Sequence, residues 1–229
     1  ILASLSDSAL DLVASLITLY AVRYAAVPPD AEHRFGHGKA EAFSSLLQGG
    51  LVFASGALIG REAFHAIFNP SPVQHGLAGV IVMIVSIVLT LALITAQSRV
   101  LKASGSIAIA GDRAHYAADL GSNAVALVGV GAASWLDLPW VDAAAGLLVA
   151  LWLIWGAIGV FREASDQLLD RELPENDRER IVALAVADPR LLGVHQLRTR
   201  ASGPYIHMQM HADLASDISL AEAHAIIVA

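Results

Sequence analysis

The chain has 229 residues, 56% hydrophobic and 15% charged, with a net charge of −7 and no cysteine. A charged share so far below the about one quarter typical of soluble domains excludes an ordinary water-soluble fold and places the chain in lipid. The acidic balance without any basic cluster excludes nucleic acid as a partner, and the missing thiols exclude disulfides and leave His, Asp and Glu as the metal ligands.

A bilayer core takes about 20 apolar residues of helix, and five segments meet or approach that. The first runs from the start to about Val22, interrupted by Asp7 and Asp11. The second, 42–60, and the third, 76–96, are uncharged. The fourth starts near Ile107, contains His115 and Asp119, and is uncharged over 120–136; the fifth covers 143–161. Arg23, Arg34, Lys39, Arg99, Lys102, Arg113 and Arg162 gather at one set of span ends. By the positive-inside rule those ends are cytoplasmic. His65 and His75 fall near the opposite ends and read as interfacial. The visible N-terminus is then outside, and one further helix is expected ahead of Ile1; the chain is read as a fragment.

Beyond Arg162 the composition turns charged, and Pro174 marks a break. Residues 176–187 read as an amphipathic helix with Asn176 and Asp177 as capping candidates. Residues 194–200 suit a strand. Residues 205–214 alternate, with Ile206, Met208 and Met210 on one face and His207, Gln209 and His211 on the other. A further helix begins at Ser219. The expected organisation is a transmembrane domain over 1–167, a linker over 168–174, and a cytoplasmic α+β domain over 175–229, ferredoxin-like but short of its last strand.

Two pairs of ionisable residues fall in the spans at a spacing of four, Asp7 with Asp11 and His115 with Asp119. Residues at i and i+4 share a helix face, and each carboxylate at a bilayer centre costs about 2.5–3.5 kcal/mol on insertion scales. Facing each other, the two pairs offer three carboxylates and one imidazole, a four-coordinate set for Zn²⁺. Pore lining, a helix-end position, or hydrogen bonding across the bundle is the alternative. In the loop after the first span, Asp30, His33 and His37 can converge because Gly36 and Gly38 allow tight turns; a solvated loop is the alternative. His195, His207, His211 and His224 lie in the terminal domain, where surface histidines are common. No H-E-x-x-H occurs, and the DxxxD and HxxxD pairs provide no general base, so a metalloprotease is rejected and no enzyme is expected.

Five motifs together resemble the cation diffusion facilitator family, in its bacterial zinc and ferrous-iron exporter branch. They are Ser6-Asp7-Ser8-Ala9-Leu10-Asp11, the 30–41 loop with its FGHGKAE core, His115-Tyr-Ala-Ala-Asp119, Leu168-Leu-Asp-Arg171 and Val194-His195-Gln-Leu-Arg-Thr-Arg200. The resemblance implies six helices, five of them visible here, and a transport site at Asp7, Asp11, His115 and Asp119. It implies a loop site at Asp30, His33 and His37. A cytoplasmic site between protomers of a homodimer would use His195, His211 and His224, with further ligands on a strand this chain lacks. His207 has no counterpart role. Lys39 and Asp170 match positions whose salt bridges hold the family's dimer together near the membrane surface. The expectation is a proton-coupled exporter of a divalent cation in a bacterial inner membrane, Zn²⁺ first, with Cd²⁺, Fe²⁺, Mn²⁺ and Co²⁺ as other passengers. Because an imidazole changes charge near neutral pH, His115 is the expected proton carrier. The rivals are a proton-coupled carrier of a non-metal substrate and a metal sensor or scaffold without flux.

Overall fold

The computed structural model describes the backbone of residues 2–68, 77–136 and 139–228. Side chains are described from residue 11 onward within those ranges, except at 77–80, 82, 126, 129–136 and 139–142. His75 therefore lies outside the described residues, and so does the side chain of Asp7.

Five long helices come first: α1 (Leu2–Ala25), α2 (Ala40–Phe68), α3 (Leu77–Ser104), α4 (Ile107–Leu136) and α5 (Pro139–Leu168). Each of the five apolar segments forms one. Most run past the apolar stretch; α2 continues through Arg61 and Glu62 to Phe68, because a helix satisfies its own backbone donors and acceptors whatever its side chains. Stretches of α2, α3 and α5, at Ala40–Phe68, Met83–Ser104 and Ala143–Leu168, are long and apolar enough to cross a membrane. The helices α1 and α4 are of similar length but carry the ionisable groups.

The helix α2 is central. Methyl groups added at Gly49, Gly56 or Gly60 would come within 3.1–3.2 Å of Val160, Ile154 and Ala150 on α5, so small residues let the two helix backbones approach closely, as in lipid-embedded bundles. Val52, Ala118, Leu153 and Ala157 form the core where α2, α4 and α5 meet. Large apolar side chains such as Phe53, Phe64, Trp152 and Trp155 point outward, the arrangement that lipid tolerates and water does not. The buried Glu41 accepts a 2.6 Å hydrogen bond from Ser106 and ties the start of α2 to the start of α4.

The small domain consists of α6 (Glu175–Val186), β1 (Gly193–Ser202), β2 (Tyr205–Asp213) and α7 (Leu220–Val228). Asn176 and Asp177 do not cap α6. Pro174 holds the N-cap position without a side-chain cap bond, and its carbonyl accepts from the amides of Asp177 and Arg178 at 3.0 and 3.1 Å. Proline's fixed φ suits the entry to a helix, which leaves Glu175 and Asp177 in the first turn, where negative charge complements the dipole. β1 and β2 pair antiparallel from Gly193↔Asp213 to Ser202↔Tyr205, with an irregularity between His195 and Arg198. Gly203 takes φ +56° in the two-residue turn, a conformation suited to glycine. Because α6 packs against β1, Ile206 and Met208 on β2 remain half exposed.

The two parts are joined firmly. Glu172 accepts from the amide of Thr199 at 2.8 Å and from its hydroxyl, and the Leu173 amide donates to that hydroxyl at 3.0 Å. The loop between α1 and α2 rests on the hairpin. Phe35 meets His207 edge-on at 5.9 Å, with the Arg200 guanidinium 4.3 Å above its ring. Gly38 lies so close that a Cβ there would fall 2.1 Å from the Ser202 carbonyl oxygen.

Candidate functional site

The i, i+4 spacing on α4 points His115 and Asp119 the same way, and packing of α1 on α4 brings Asp11 to them. His115 Nε2 lies 3.0 Å from Asp11 Oδ1 and 3.8 Å from Asp119 Oδ2. One ligand atom from each of the three residues falls within 4.8 Å of the others. A 2.8 Å hydrogen bond between Ser15 and Tyr116 pins the two helices beside this cluster. The imidazole is buried, 7% exposed, while the two carboxylates are partly open at 42% and 34%. Two oxygens and one nitrogen at this separation match a cation with bonds of about 2.0–2.2 Å. Asp7 precedes Asp11 by one helical turn on α1.

The loop cluster is built locally. Asp30 Oδ1 accepts from the amides of Glu32 and His33 at 2.9 and 2.6 Å, a side-chain-capped turn. The same carboxylate lies 3.3 Å from His33 Nδ1 and 3.3 Å from His37 Nε2, and Gly36, at φ +79°, turns the chain back. The two imidazoles are 4.5 Å apart. His37 Nδ1 sits 3.3 Å from the Val27 carbonyl. Donation there fixes the tautomer and leaves Nε2 as the nitrogen with a lone pair for a metal. The backbone hydrogen bond from His33 is the chief cause holding the Asp30 carboxyl below its usual range, so it is charged at neutral pH.

In the small domain His195 and His211 are cross-strand partners with rings 5.2 Å apart, and Asp213 Oδ2 lies 3.3 Å from His195 Nδ1. His224 is exposed on α7, which makes no packing contact with β1 or β2 among the described residues. Lys39 Nζ lies 3.0 Å from Asp170 Oδ1 within one chain, and Arg200 lies 3.3 Å from the other carboxylate oxygen. Desolvation raises the pKa of Asp170, but the hydrogen bond and charge of Lys39, with Arg200, carry it below its usual value.

Sequence reading missed a buried polar group beside the helix cluster. Asp112 Oδ1 accepts from Gln48 Nε2 at 3.1 Å and Asp112 Oδ2 from Gln97 Nε2 at 2.7 Å. The signal was present: Asp112 precedes His115 by three residues, on the same face of α4, and Gln48 is a large polar residue in an uncharged stretch. Asp213 was missed too, although it follows His211 by two along β2 and so shares its face.

The model of the cation efflux transmembrane domain matches residues 1–169, and that of the cation efflux protein cytoplasmic domain matches residues 173–229. A cation-efflux pump FieF from Shewanella oneidensis is 42% identical over 225 residues, 98% of this chain and 76% of the relative. Proteins of the same name from Cronobacter sakazakii and Klebsiella pneumoniae are each 38% identical over 226 residues, 99% of this chain and 75% of theirs. Two matched domains in the order of the two structural parts, with relatives similar along nearly the whole chain, place this protein in the cation diffusion facilitator family of cation efflux proteins.

Proposed function

We propose that the protein exports a divalent metal cation, Zn²⁺ first, in exchange for protons by alternating access, working as a homodimer in a bacterial cytoplasmic membrane. The observation that carries this reading is the meeting of Asp11, His115 and Asp119, from two helices of a membrane-type domain, around one point. Groups this costly to embed in lipid have a functional role by default. Asp7 is the fourth ligand in this proposal. Imidazole with carboxylates and no thiolate suits Zn²⁺, Cd²⁺, Fe²⁺, Mn²⁺ or Co²⁺ as substrate, and the pump names of the relatives agree with outward movement.

The chemistry of exchange follows from the donor set. A metal needs the lone pair of neutral imidazole and the charge of carboxylates, so protons and metal compete for the same atoms. Here His115 Nε2 faces both carboxylates, and a cation at that point replaces a proton between them. Protons arriving on the outer side reverse the step and release the metal. Asp30, His33 and His37 are a second, loop-borne site; His195, His211 and His224 are proposed to sense cytoplasmic metal and to tighten the dimer, with Lys39 and Asp170 bracing it. The domain matched to the family's cytoplasmic part, whose model is named for dimerisation, supports the homodimer. No catalysis is assigned.

The deciding experiment is Zn²⁺/H⁺ exchange by the full-length protein in proteoliposomes. Exchange is expected in the parent protein and not in Asp119→Ala. Undiminished exchange in Asp119→Ala overturns the site, and Zn²⁺ binding without flux overturns transport.

A further inference from the structure

We infer that Gln48, Thr18, Asp112 and Gln97 form a latch that closes the path between the metal cluster and the small domain. This rests on the transport reading above and adds residues to it.

The helix directions place the latch. The loop joining α1 to α2 rests on the hairpin, and Glu41 ties the start of α2 to the start of α4. So α1 runs toward the small domain, while α2 and α4 run away from it. Ala14 and Thr18 lie one and two turns nearer that domain than Asp11, about 5 and 10 Å along the axis. Asp112 lies one turn nearer it than His115. Every latch member on α1 and α4 is therefore between the cluster and the small domain.

The hydrogen bonds cross four helices. Gln48 Nε2 on α2 reaches the Ala14 carbonyl at 3.2 Å and Thr18 Oγ1 at 3.0 Å on α1, and Asp112 Oδ1 on α4 at 3.1 Å. Gln97 on α3 donates to the other oxygen of Asp112 at 2.7 Å, and Thr18 meets Ser44 at 3.3 Å. Gln48 is 0% exposed and Asp112 8%. Below them α2 and α4 touch closely: a methyl on Gly111 would lie 3.0 Å from Ser45 Oγ and 3.2 Å from Gln48 Cβ. Contacts this close leave no gap between α2 and α4 at this level.

The network is also poised to open. The amide nitrogen of Gln48 has two hydrogens for three acceptors, and the buried Oε1 atoms of Gln48 and Gln97 find no hydrogen-bond partner among the described residues. Unpaired buried polar groups are costly, and that cost offsets part of what the network's bonds contribute to the closed form. The four residues are positioning residues: none is among the ligands, and their effect is on which side the ligands can be reached from.

The test uses the absence of cysteine from these 229 residues, with any cysteine elsewhere in the full-length protein replaced by serine. Ala14, buried one turn beyond Thr18 on the cluster side of the latch, is replaced in an Ala14→Cys reporter that leaves its backbone carbonyl in place. Its modification by a membrane-impermeant thiol reagent is followed in inside-out vesicles, alongside Zn²⁺ affinity by calorimetry and Zn²⁺/H⁺ exchange kinetics. Thr18→Val and Gln48→Leu are expected to speed labelling about tenfold, the scale of one lost buried hydrogen bond, and to lower the maximal exchange rate with little change in KM for Zn²⁺. Thr18→Ser, which keeps the hydroxyl, is expected to restore both. Labelling that stays at the parent rate in both Thr18→Val and Gln48→Leu overturns the latch, as does a rise in KM with an unchanged maximal rate. Because labelling needs no flux, a parent protein that exchanges no Zn²⁺ sinks the transport reading separately.

Discussion

The two three-residue clusters are made of the same two kinds of group in opposite proportion, and they are held in opposite ways. Asp30, His33 and His37 come from one short loop, and a side-chain-capped turn brings them together locally. Asp11 and His115 are 104 residues apart in the chain and meet only because α1 packs on α4. His33 is half exposed, whereas His115 is buried. A cluster carried by one loop can move with that loop as a unit. A cluster shared between helices can be made and unmade by helix movement, which is what transport asks of it.

The sharpest way to break this contrast is to remove one ligand from each cluster. Asp11→Ala is expected to cut Zn²⁺/H⁺ exchange in proteoliposomes by more than about 100-fold, beyond what loss of an outer partner causes. His33→Ala is expected to leave the exchange rate within about threefold while weakening one class of Zn²⁺ site in calorimetry, because exposed ligands are replaced in part by water. Equal losses from the two variants would erase the difference. A finer test separates shape from charge. Asp30→Asn retains an oxygen for the amides of Glu32 and His33 but loses the charge, so the loop should resist proteolysis as before while its Zn²⁺ affinity falls about tenfold. Greater proteolytic sensitivity would show that the loop depends on the charge for its shape.

The smallest expected effect lies at the junction. Hydrogen bonds from the Thr199 hydroxyl and amide hold the Glu172 carboxyl below its usual range. A depressed carboxylate value stabilises the folded junction above the ordinary carboxylate pKa, and that contribution fades as pH falls through the folded value. Limited proteolysis of the 169–174 segment is therefore expected to accelerate only on acidification below the normal Glu range. In Glu172→Gln that acid dependence should flatten; an unchanged pH profile would assign it to another group.

How much of this was readable in the sequence follows from what each feature depends on. The five long helices, the β-hairpin and the shared face of His115 and Asp119 are set by local period, so pattern alone reveals them. The helix ends were drawn short because hydropathy stops at Arg61 while backbone hydrogen bonding does not. Capping by Asn176 or Asp177 was misread because Pro174 took the position first. Asp112 and Gln48 carry no meaning singly: their importance arises when α1, α2, α3 and α4 pack, and no period in one helix encodes a partner on another. The cytoplasmic histidines are a middle case, since strand pairing joins His195 to His211 but leaves His224 on a separate helix.

The contact at Gly38 has a mechanical consequence. Its backbone abuts Ser202 two residues before α2 begins, with no space for even one methyl group. The hairpin thus bears directly on the foot of the central helix, as a strut and not a tether. Any tilt of the small domain is passed to α2 without slack, and a Gly38→Ala wedge would lever the two halves apart while leaving every charged residue in place.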